Sequence, residues 1–330
     1  MKEQYTSKLT LWETQNAIKL VKDTAERKIS QALSLLRVTA PLMVPAGSGM
    51  NDDLSGVERK VSFSAGEDGR VLEVVQSLAK WKRMALKKYA FPLEQGLYTD
   101  MNAIRRDEQE DELHSLFVDQ WDWEKIILEE NRTLDFLKDT VCRIASAIYQ
   151  TKLAVTAQYP HLNDNISEEV SFITAEELYQ IYPTLSAEER EMEYVKRHPT
   201  TFIMGIGAPL PDGKPHSLRA PDYDDWSLNG DLLYWSNVLG RPIEISSMGI
   251  RVNSATLLSQ LTSTNTLERA GLPYHKAVLE GKLPYTIGGG IGQSRLSMLL
   301  LEKYHIGEVQ VSLWDEETKR VCAENGIVLL

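Results

Sequence analysis

Strand follows strand in this chain through short charged or glycine-bearing turns. Residues Leu97 to Arg105 and His114 to Trp123 read as two strands joined by the acidic loop RDEQEDE. Asp231 to Val238 and Pro242 to Met248 form a second pair around Leu239-Gly240-Arg241, and the apolar run Thr200 to Gly207 leads into the turn Pro211-Asp212-Gly213. Links this short join antiparallel neighbours, because a parallel return needs a crossover of a dozen residues or more. The expected fold is therefore α+β: a largely antiparallel sheet accompanied by helices. No Pro/Ser-rich linker interrupts the chain, so residues 1–330 read as a single domain.

The helices follow from apolar spacing. Ile18, Val21, Ala25, Ile29, Leu33 and Leu36 recur at helical intervals, which predicts one long amphipathic helix from about Thr10 to Leu36. Arg37 to Val44 is extended and is broken by Pro41, with Pro45 just beyond, so it belongs at a sheet edge or an interface. The stretch GSGMNDDLSG (Gly47 to Gly56) is a loop, and Val71 to Val75 is a short buried strand. Ser77 is placed to cap a helix over Leu78 to Tyr89. Trp123 to Gln158 and Ala175 to Arg197 read as helical, and GGGIGQSR (Gly288 to Arg295) opens a helix over Leu296 to Lys303. Period-two alternation places His114, Leu116, Val118, Gln120 and Asp122 on one strand face.

Charge narrows the function. The chain has 36 basic and 47 acidic residues, a formal net charge of -11, and so offers a phosphate backbone no general attraction. Small anions remain possible ligands for a few well-placed arginines. Cys142 and Cys322 are too few for a disulfide framework or a thiolate metal cluster. The N-terminus carries charges throughout, and no apolar run approaches the ~18 residues of a membrane span. A cytoplasmic protein without nucleic-acid or membrane partners is expected.

Four segments carry chemistry: VVQSLAKWKR, AIRRDE with VDQWDWE, RPIEISSMGIR, and GGGIGQSR. Each has a plainer reading when taken singly. Arg105 could be a surface charge beside an acidic loop, and the glycines could only make room for a helix start. The glycine spacing is not a dinucleotide fingerprint, and no GxxxxGK[ST] loop is present. In combination, an Arg ending one strand, an acidic loop, a returning strand and a late glycine-rich segment closing on Arg295 resemble motifs 2 and 3 of class II aminoacyl-tRNA synthetases. The long helix running into RVTAP resembles their motif 1, and the order is the same.

A closer resemblance covers essentially the whole chain. SLAKWKR, GLYTDMNAIR, VDQWDWE, RAPDYDDW, SSMGIR and IGGGIGQSR are similar to the words of the ammonia-dependent asparagine synthetase (aspartate–ammonia ligase) family. The resemblance implies one α+β domain on a mixed, largely antiparallel sheet flanked by helices, assembled as a homodimer. It implies that aspartate and ATP give a β-aspartyl adenylate, which ammonia converts to asparagine and AMP after pyrophosphate has left.

The same resemblance distributes roles. Arg105 matches the motif 2 arginine, for the α-phosphate and the reacting β-carboxylate, where a planar guanidinium suits the developing charge. Arg295 matches the motif 3 arginine, for the γ-phosphate and adenine end of ATP, with backbone N–H groups of Gly288, Gly289 and Gly290 facing the nucleotide behind it. Asp231 and Glu244 match an acidic pair that holds Mg2+, although they lie farther apart here than in the synthetases; solvent-exposed strand carboxylates are the alternative. Ser77, Lys82, Asp122, Asp224, Ser247 and Arg251 match the aspartate pocket, with Gln120 counted as catalytic on the wall it shares with Asp122. Asp52 matches the position that binds and deprotonates ammonium, with Asp53 as the nearest alternative and a turn-capping aspartate as the plain one. The synthetases carry an aromatic near Val118; this chain is aliphatic there, and His114 is the candidate substitute.

Two rivals remain to be separated. A synthetase-like paralogue should need tRNA, yet the catalytic motifs fill the length and the net charge is acidic. An inactive amino-acid or nucleotide sensor should have lost the motif arginines and carboxylates, which are present.

Overall fold

The computed structural model describes residues 5–52, 54, 58–163 and 166–330. Helix α1 (Leu11–Leu33) opens on a capping box in which Thr10 and Glu13 each satisfy the other's backbone N–H. It ends three residues short of the predicted Leu36, because Ser34 turns into the left-handed region and Leu35 starts a strand. The strands are β1 (Leu35–Arg37), β2 (Met43–Pro45), β3 (Ser62–Ala65), β4 (Arg70–Val74), β5 (Gly96–Ile104), β6 (Phe117–Ile126), β7 (Ser171–Thr174), β8 (Thr200–Met204), β9 (Asp224–Ser236), β10 (Arg241–Arg251) and β11 (Thr286–Gly292). The remaining helices are α2 (Ala79–Lys88), α3 (Leu134–Gln158), α4 (Ala175–Ile181), α5 (Ala187–Val195), α6 (Ser254–Ser263), α7 (Pro273–Leu279), α8 (Gln293–Leu300) and α9 (Glu316–Glu324).

Among the described residues, one sheet of eight strands runs β1-β5-β6-β11-β10-β9-β8-β7, and a three-stranded sheet runs β2-β4-β3. The outermost pairs of the large sheet, β1/β5 and β7/β8, are parallel and the pairs between them antiparallel, so the sheet is mixed and largely antiparallel as expected. Its one face buries Trp121 and Trp123 of β6, Met248 and Ile250 of β10, and Ile287 and Ile291 of β11 against α1, α3 and α8. Alternate residues point to the other face, which α2 partly covers. No described helix is long and apolar enough to cross a membrane.

Several local expectations are corrected. Trp123 to Ile126 continues β6, and the long helix begins only where the Thr133 hydroxyl accepts the Phe136 N–H at 3.2 Å. His114 and Leu116 precede β6, because the Asp111 carboxylate accepts the backbone N–H of Leu113 and of His114, each at 2.7 Å, and bends the chain. The helical region predicted over 175–197 is two helices, separated at Pro183. Ser77 stands one residue before the cap of α2; its hydroxyl accepts the Ala79 N–H at 3.2 Å, and the Leu78 N–H goes to Asp122. Strand β4 is exposed at Arg70 and Val71, half-buried at Leu72 and Glu73, and buried only at Val74, with Val75 buried just beyond it. Gly288, Gly289 and Gly290 lie inside β11, paired on both sides by β6 and β10, so the ladder takes the backbone N–H groups expected to face a nucleotide.

Candidate active site

A cavity of about 440 Å³ opens on the sheet face opposite α1 and α3. Asp52, Ser77 and Lys82 enter it from the loop before β3 and from the start of α2. Gln120 and Asp122 of β6, Asp224 of β9, Ser247 and Arg251 of β10, and Gly289 and Gly290 of β11 form its floor. Arg105, Glu244 and Arg295 close one end. Gly288 and Asp231 lie just behind the lining. Residues spread over more than 240 positions of sequence thus meet in one place.

Glycine is required on this floor. A Cβ at Gly290 would sit 2.5 Å from the Gln120 side-chain oxygen and 2.8 Å from an Asp122 oxygen. A Cβ at Gly288 would collide with Glu124 and Arg251. The glycines therefore act by leaving room for neighbouring side chains.

The inner end is a buried ionic group. The Arg251 guanidinium is 2% exposed; its Nη2 lies 2.7 Å from Glu124, and its Nη1 bonds Asp224. Lys82 donates to the Gly289 carbonyl at 2.9 Å and lies 3.4 Å from Asp122. Two cations thus face the three carboxylates Asp122, Glu124 and Asp224, a formal balance of -1 that suits an entering ammonium group. Burial pulls the Lys82 ammonium below the usual lysine range against the pull of Asp122. Burial likewise lifts Asp224 despite Arg251. Glu124 was missed in the sequence although VDQWDWE contains it, because nothing local marks it as the partner of Arg251.

The outer end gathers three arginines, Arg105, Arg219 and Arg295, beside the carboxylates Glu108, Asp231 and Glu244. Arg105 leaves β5 with its backbone N–H bonded to Leu116, while its Nε has no hydrogen-bond partner among the described residues and its nearest carboxylate, Glu108, is 3.9 Å away. Arg295 stands in the first turn of α8, its Nη1 donating to the Glu244 carbonyl at 3.2 Å. Another first-turn donor of α8, the Ser294 N–H, is taken by Asp119 at 3.1 Å. Arg219, also missed although RAPDYDDW begins with it, joins this end and bonds Asp231. His114 lines the cavity with its Nδ1 2.8 Å from Asp111, whose carboxyl is held down to about 2 by His114 and the two backbone donors, against burial. Val118 and its neighbour Phe117 line the cavity together with His114.

Asp231 and Glu244 are brought to one side by an irregularity. Asp231 lies opposite Ser247, and Glu244, three residues before Ser247, would face away on a regular strand. Ile245 is the extra residue of a bulge between Glu244 and Ser246, which turns Glu244 back to the cavity. Burial and then Glu244 push the Asp231 carboxyl up to about 7, with Arg219 and the Ser247 hydroxyl opposing. Desolvation would raise the Glu244 carboxyl, whose side chain is 41% exposed, yet Arg295, Arg219 and Arg105 hold it below the usual range. One Asp231 oxygen is buried with no hydrogen-bond partner among the described residues. A hard-oxygen pair with an unsatisfied member fits Mg2+, which commonly binds one or two carboxylates together with substrate phosphates.

Asp52 is 1% exposed. Its Oδ1 accepts the Leu54 N–H at 3.1 Å, so the turn-capping role is present whatever else the carboxylate does. It lies near enough to Tyr223 to help raise that phenol, after burial itself. Asp53 lies outside the described residues.

Comparison with known proteins places this geometry. The architecture is that of asparaginyl-tRNA synthetase from Entamoeba histolytica in complex with asparaginyl-adenylate (TM-score 0.65, 16% identity, 90% of this chain and 66% of that one). The Pyrococcus horikoshii enzyme, also complexed with asparaginyl-adenylate, gives a TM-score of 0.66 at 15% identity over 92% of this chain and 70% of that one. Likeness at this level establishes the fold, that of the class II aminoacyl-tRNA synthetases, and the chain spans about two thirds of their length. A family model described as aspartate-ammonia ligase matches residues 12–326. The aspartate–ammonia ligases of Clostridium tetani and Lactobacillus acidophilus are 52% and 53% identical to it over 99% of this chain, covering 96% and 98% of their own lengths. With 99% of the chain matched and every segment of the cavity inside the family match, the chain belongs to the aspartate–ammonia ligase family.

Proposed function

We propose that this chain makes asparagine from aspartate, ammonia and ATP through a β-aspartyl adenylate, within one catalytic domain. The observation that carries the reading is the division of the cavity into an inner end where three carboxylates outnumber two cations and an outer end where three arginines converge on one carboxylate pair. Aspartate enters with its ammonium toward Asp122 and Asp224, and its β-carboxylate points outward to Arg105. A carboxylate oxygen forms the bond to the α-phosphorus as the bond to the bridging oxygen breaks, and pyrophosphate leaves. Arg105 and Arg295 bind the phosphates, and Phe117 with His114 forms the wall for the base. Asp231 and Glu244 would hold Mg2+, which would neutralise charge on the phosphate oxygens when bound. Gln120 borders the reacting carbonyl. Ammonium gives a proton to Asp52, the resulting ammonia attacks that carbonyl, and the added nitrogen loses a second proton to solvent as the carbon–oxygen bond to AMP breaks and AMP departs.

The deciding measurement is formation of free asparagine and AMP, one for one, from aspartate, ATP and ammonium without tRNA. Absence of both products from a folded, ATP-binding protein would favour a sensor. Transfer of aspartate only to tRNA would favour a synthetase-like paralogue.

Ammonia rather than glutamine is the nitrogen source. A glutaminase needs an exposed thiol of lowered pKa. Cys142 is exposed and Cys322 buried, yet desolvation and a nearby carboxylate, Asp139 and Glu308 respectively, raise both thiols rather than lower them. Cys142→Ser/Cys322→Ser is expected to make asparagine from ammonium at the wild-type rate, and the wild type to make none from glutamine. Cysteine-dependent use of glutamine would overturn this.

A cytoplasmic homodimer completes the proposal. Strand β1 is the outer strand of the large sheet, and Leu36, Leu42 and Met43 beside it are exposed apolar side chains. A two-fold contact would cover them. Sedimentation at micromolar concentration is expected to give twice the chain mass; a monomer there would rule the dimer out.

A further inference from the structure

A second buried ionic cluster lies behind the aspartate pocket, outside the cavity lining. The Asp222 side chain is 1% exposed. Its Oδ2 meets Lys80 Nζ at 3.3 Å, His275 Nε2 at 2.9 Å and Arg269 Nη1 at 3.5 Å. Lys80 and His275 are fully buried with it. The three partners come from three elements: α2, the turn Leu267–Gly271, and α7. The cations draw the Asp222 carboxyl down against burial. An ionised carboxylate only accepts, so His275 carries its proton on Nε2. Its Nδ1 and the Asp222 Oδ1 are buried without hydrogen-bond partners among the described residues.

Such a cluster is a poor source of stability, because desolvating the ions offsets much of their attraction. Its placement is what it contributes. Asp222 directly precedes Tyr223 and Asp224, which line the cavity, and Lys80 is two residues from Lys82, which lines it too. Gln260 of α6 grips the same stretch from its backbone: its Nε2 donates to Pro221 O and Asp224 O, each at 2.9 Å, and its Oε1 accepts the Trp226 N–H at 3.0 Å. The helices between β10 and β11 thereby hold the segment 221–226 by side chain and main chain together. The same helical segment supports the Asp52 loop, since Met50 packs with Leu257, Leu261 and Tyr274.

We propose that Asp222, clamped by Lys80, Arg269 and His275, is a positioning residue that fixes the Tyr223–Asp224 wall and the start of α2 around the amino-acid substrate. It touches no reacting atom. The proposal rests on the reading of Asp224 and Lys82 as the aspartate pocket, and its consequence falls on aspartate rather than on ATP.

The test compares His275→Leu, His275→Gln, Asp222→Asn and Asp224→Asn. A small displacement of a binding wall costs ~10-fold or more, so His275→Leu should raise the KM for aspartate by about that factor, with the KM for ATP within about twofold of wild type. The Gln amide nitrogen can donate where His Nε2 does, so His275→Gln should restore the aspartate KM to within about threefold. Asp222→Asn leaves the buried Lys80 ammonium without its carboxylate and should have the larger effect; if it does not fold, the His275 pair still decides. An unchanged aspartate KM in His275→Leu, equal losses for aspartate and ATP, or failure of Gln to restore would each overturn the proposal. If Asp224→Asn raises the aspartate KM while His275→Leu does not, the positioning role alone fails. If Asp224→Asn leaves it unchanged, the pocket reading fails and takes the proposal with it.

Discussion

Arg105→Lys is expected to lower aspartate-dependent ATP–pyrophosphate exchange by ~10²-fold or more, because a planar fork aimed at developing charge is replaced by a point charge. The surroundings of this arginine distinguish it from the others in the cavity. Arg251 has its guanidinium filled by Glu124 and Asp224, and Arg219 is bonded to Asp231. Arg105 has only Glu108 at 3.9 Å, and its Nε lacks a hydrogen-bond partner among the described residues. Its backbone is meanwhile fixed by the bond to Leu116, so the side chain extends from a rigid strand end. A guanidinium prepared in this way needs an anion. The lysine variant keeps the charge and loses the second donor, so its effect should fall on kcat as well as on ATP binding. Exchange within a few-fold of wild type would remove Arg105 from the chemistry.

Arg251 and Lys82 show where reading the chain alone ran out. Both were marked as ligands for a carboxylate, and both reach the cavity, yet in the folded chain they answer to Glu124, Asp224 and Asp122. Arg251 reaches Asp224 across the β9–β10 hairpin and Glu124 on β6 across the intervening β11, while Lys82 reaches Asp122 from α2; no local pattern encodes pairings of that kind. The hairpins were legible because their turns are local, and the site words were legible because they are long and unusual. Helix ends were harder. WDWEKIIL carries enough apolar residues for either period, and the start of α3 is decided by one Thr133 hydroxyl. The glycine run reads in sequence as the opening of a helix; here Gly288 to Gly290 sit in a central strand whose neighbours leave no space for a Cβ. The bulge at Ile245 explains the unusual spacing of Asp231 and Glu244, and it too is a property of the paired strands.

Asp52→Asn should separate the two halves of the reaction. At neutral pH ammonia is mostly ammonium, which has no lone pair and cannot attack a carbonyl, so a carboxylate near the adenylate must bind the cation and accept a proton. Asp52 is almost fully buried at the cavity wall and near Tyr223. Asn keeps the shape and an acceptor oxygen, so the Leu54 N–H that Asp52 now caps at 3.1 Å retains a partner and the loop keeps its turn. Only the charge and the basicity are lost. Adenylate formation involves no ammonia, so ATP–pyrophosphate exchange with aspartate should stay within a few-fold of wild type. Asparagine formation should fall by ~10²-fold or more, the usual weight of a positioned base. Asp53→Asn should leave both activities intact. Supplying the attacking amine already deprotonated separates basicity from binding: hydroxylamine, uncharged at neutral pH, should recover part of the second half-reaction in Asp52→Asn. Near wild-type asparagine formation by that variant would remove Asp52 from the ammonium site, and loss of both half-reactions together would assign it to the loop's structure or to aspartate binding instead.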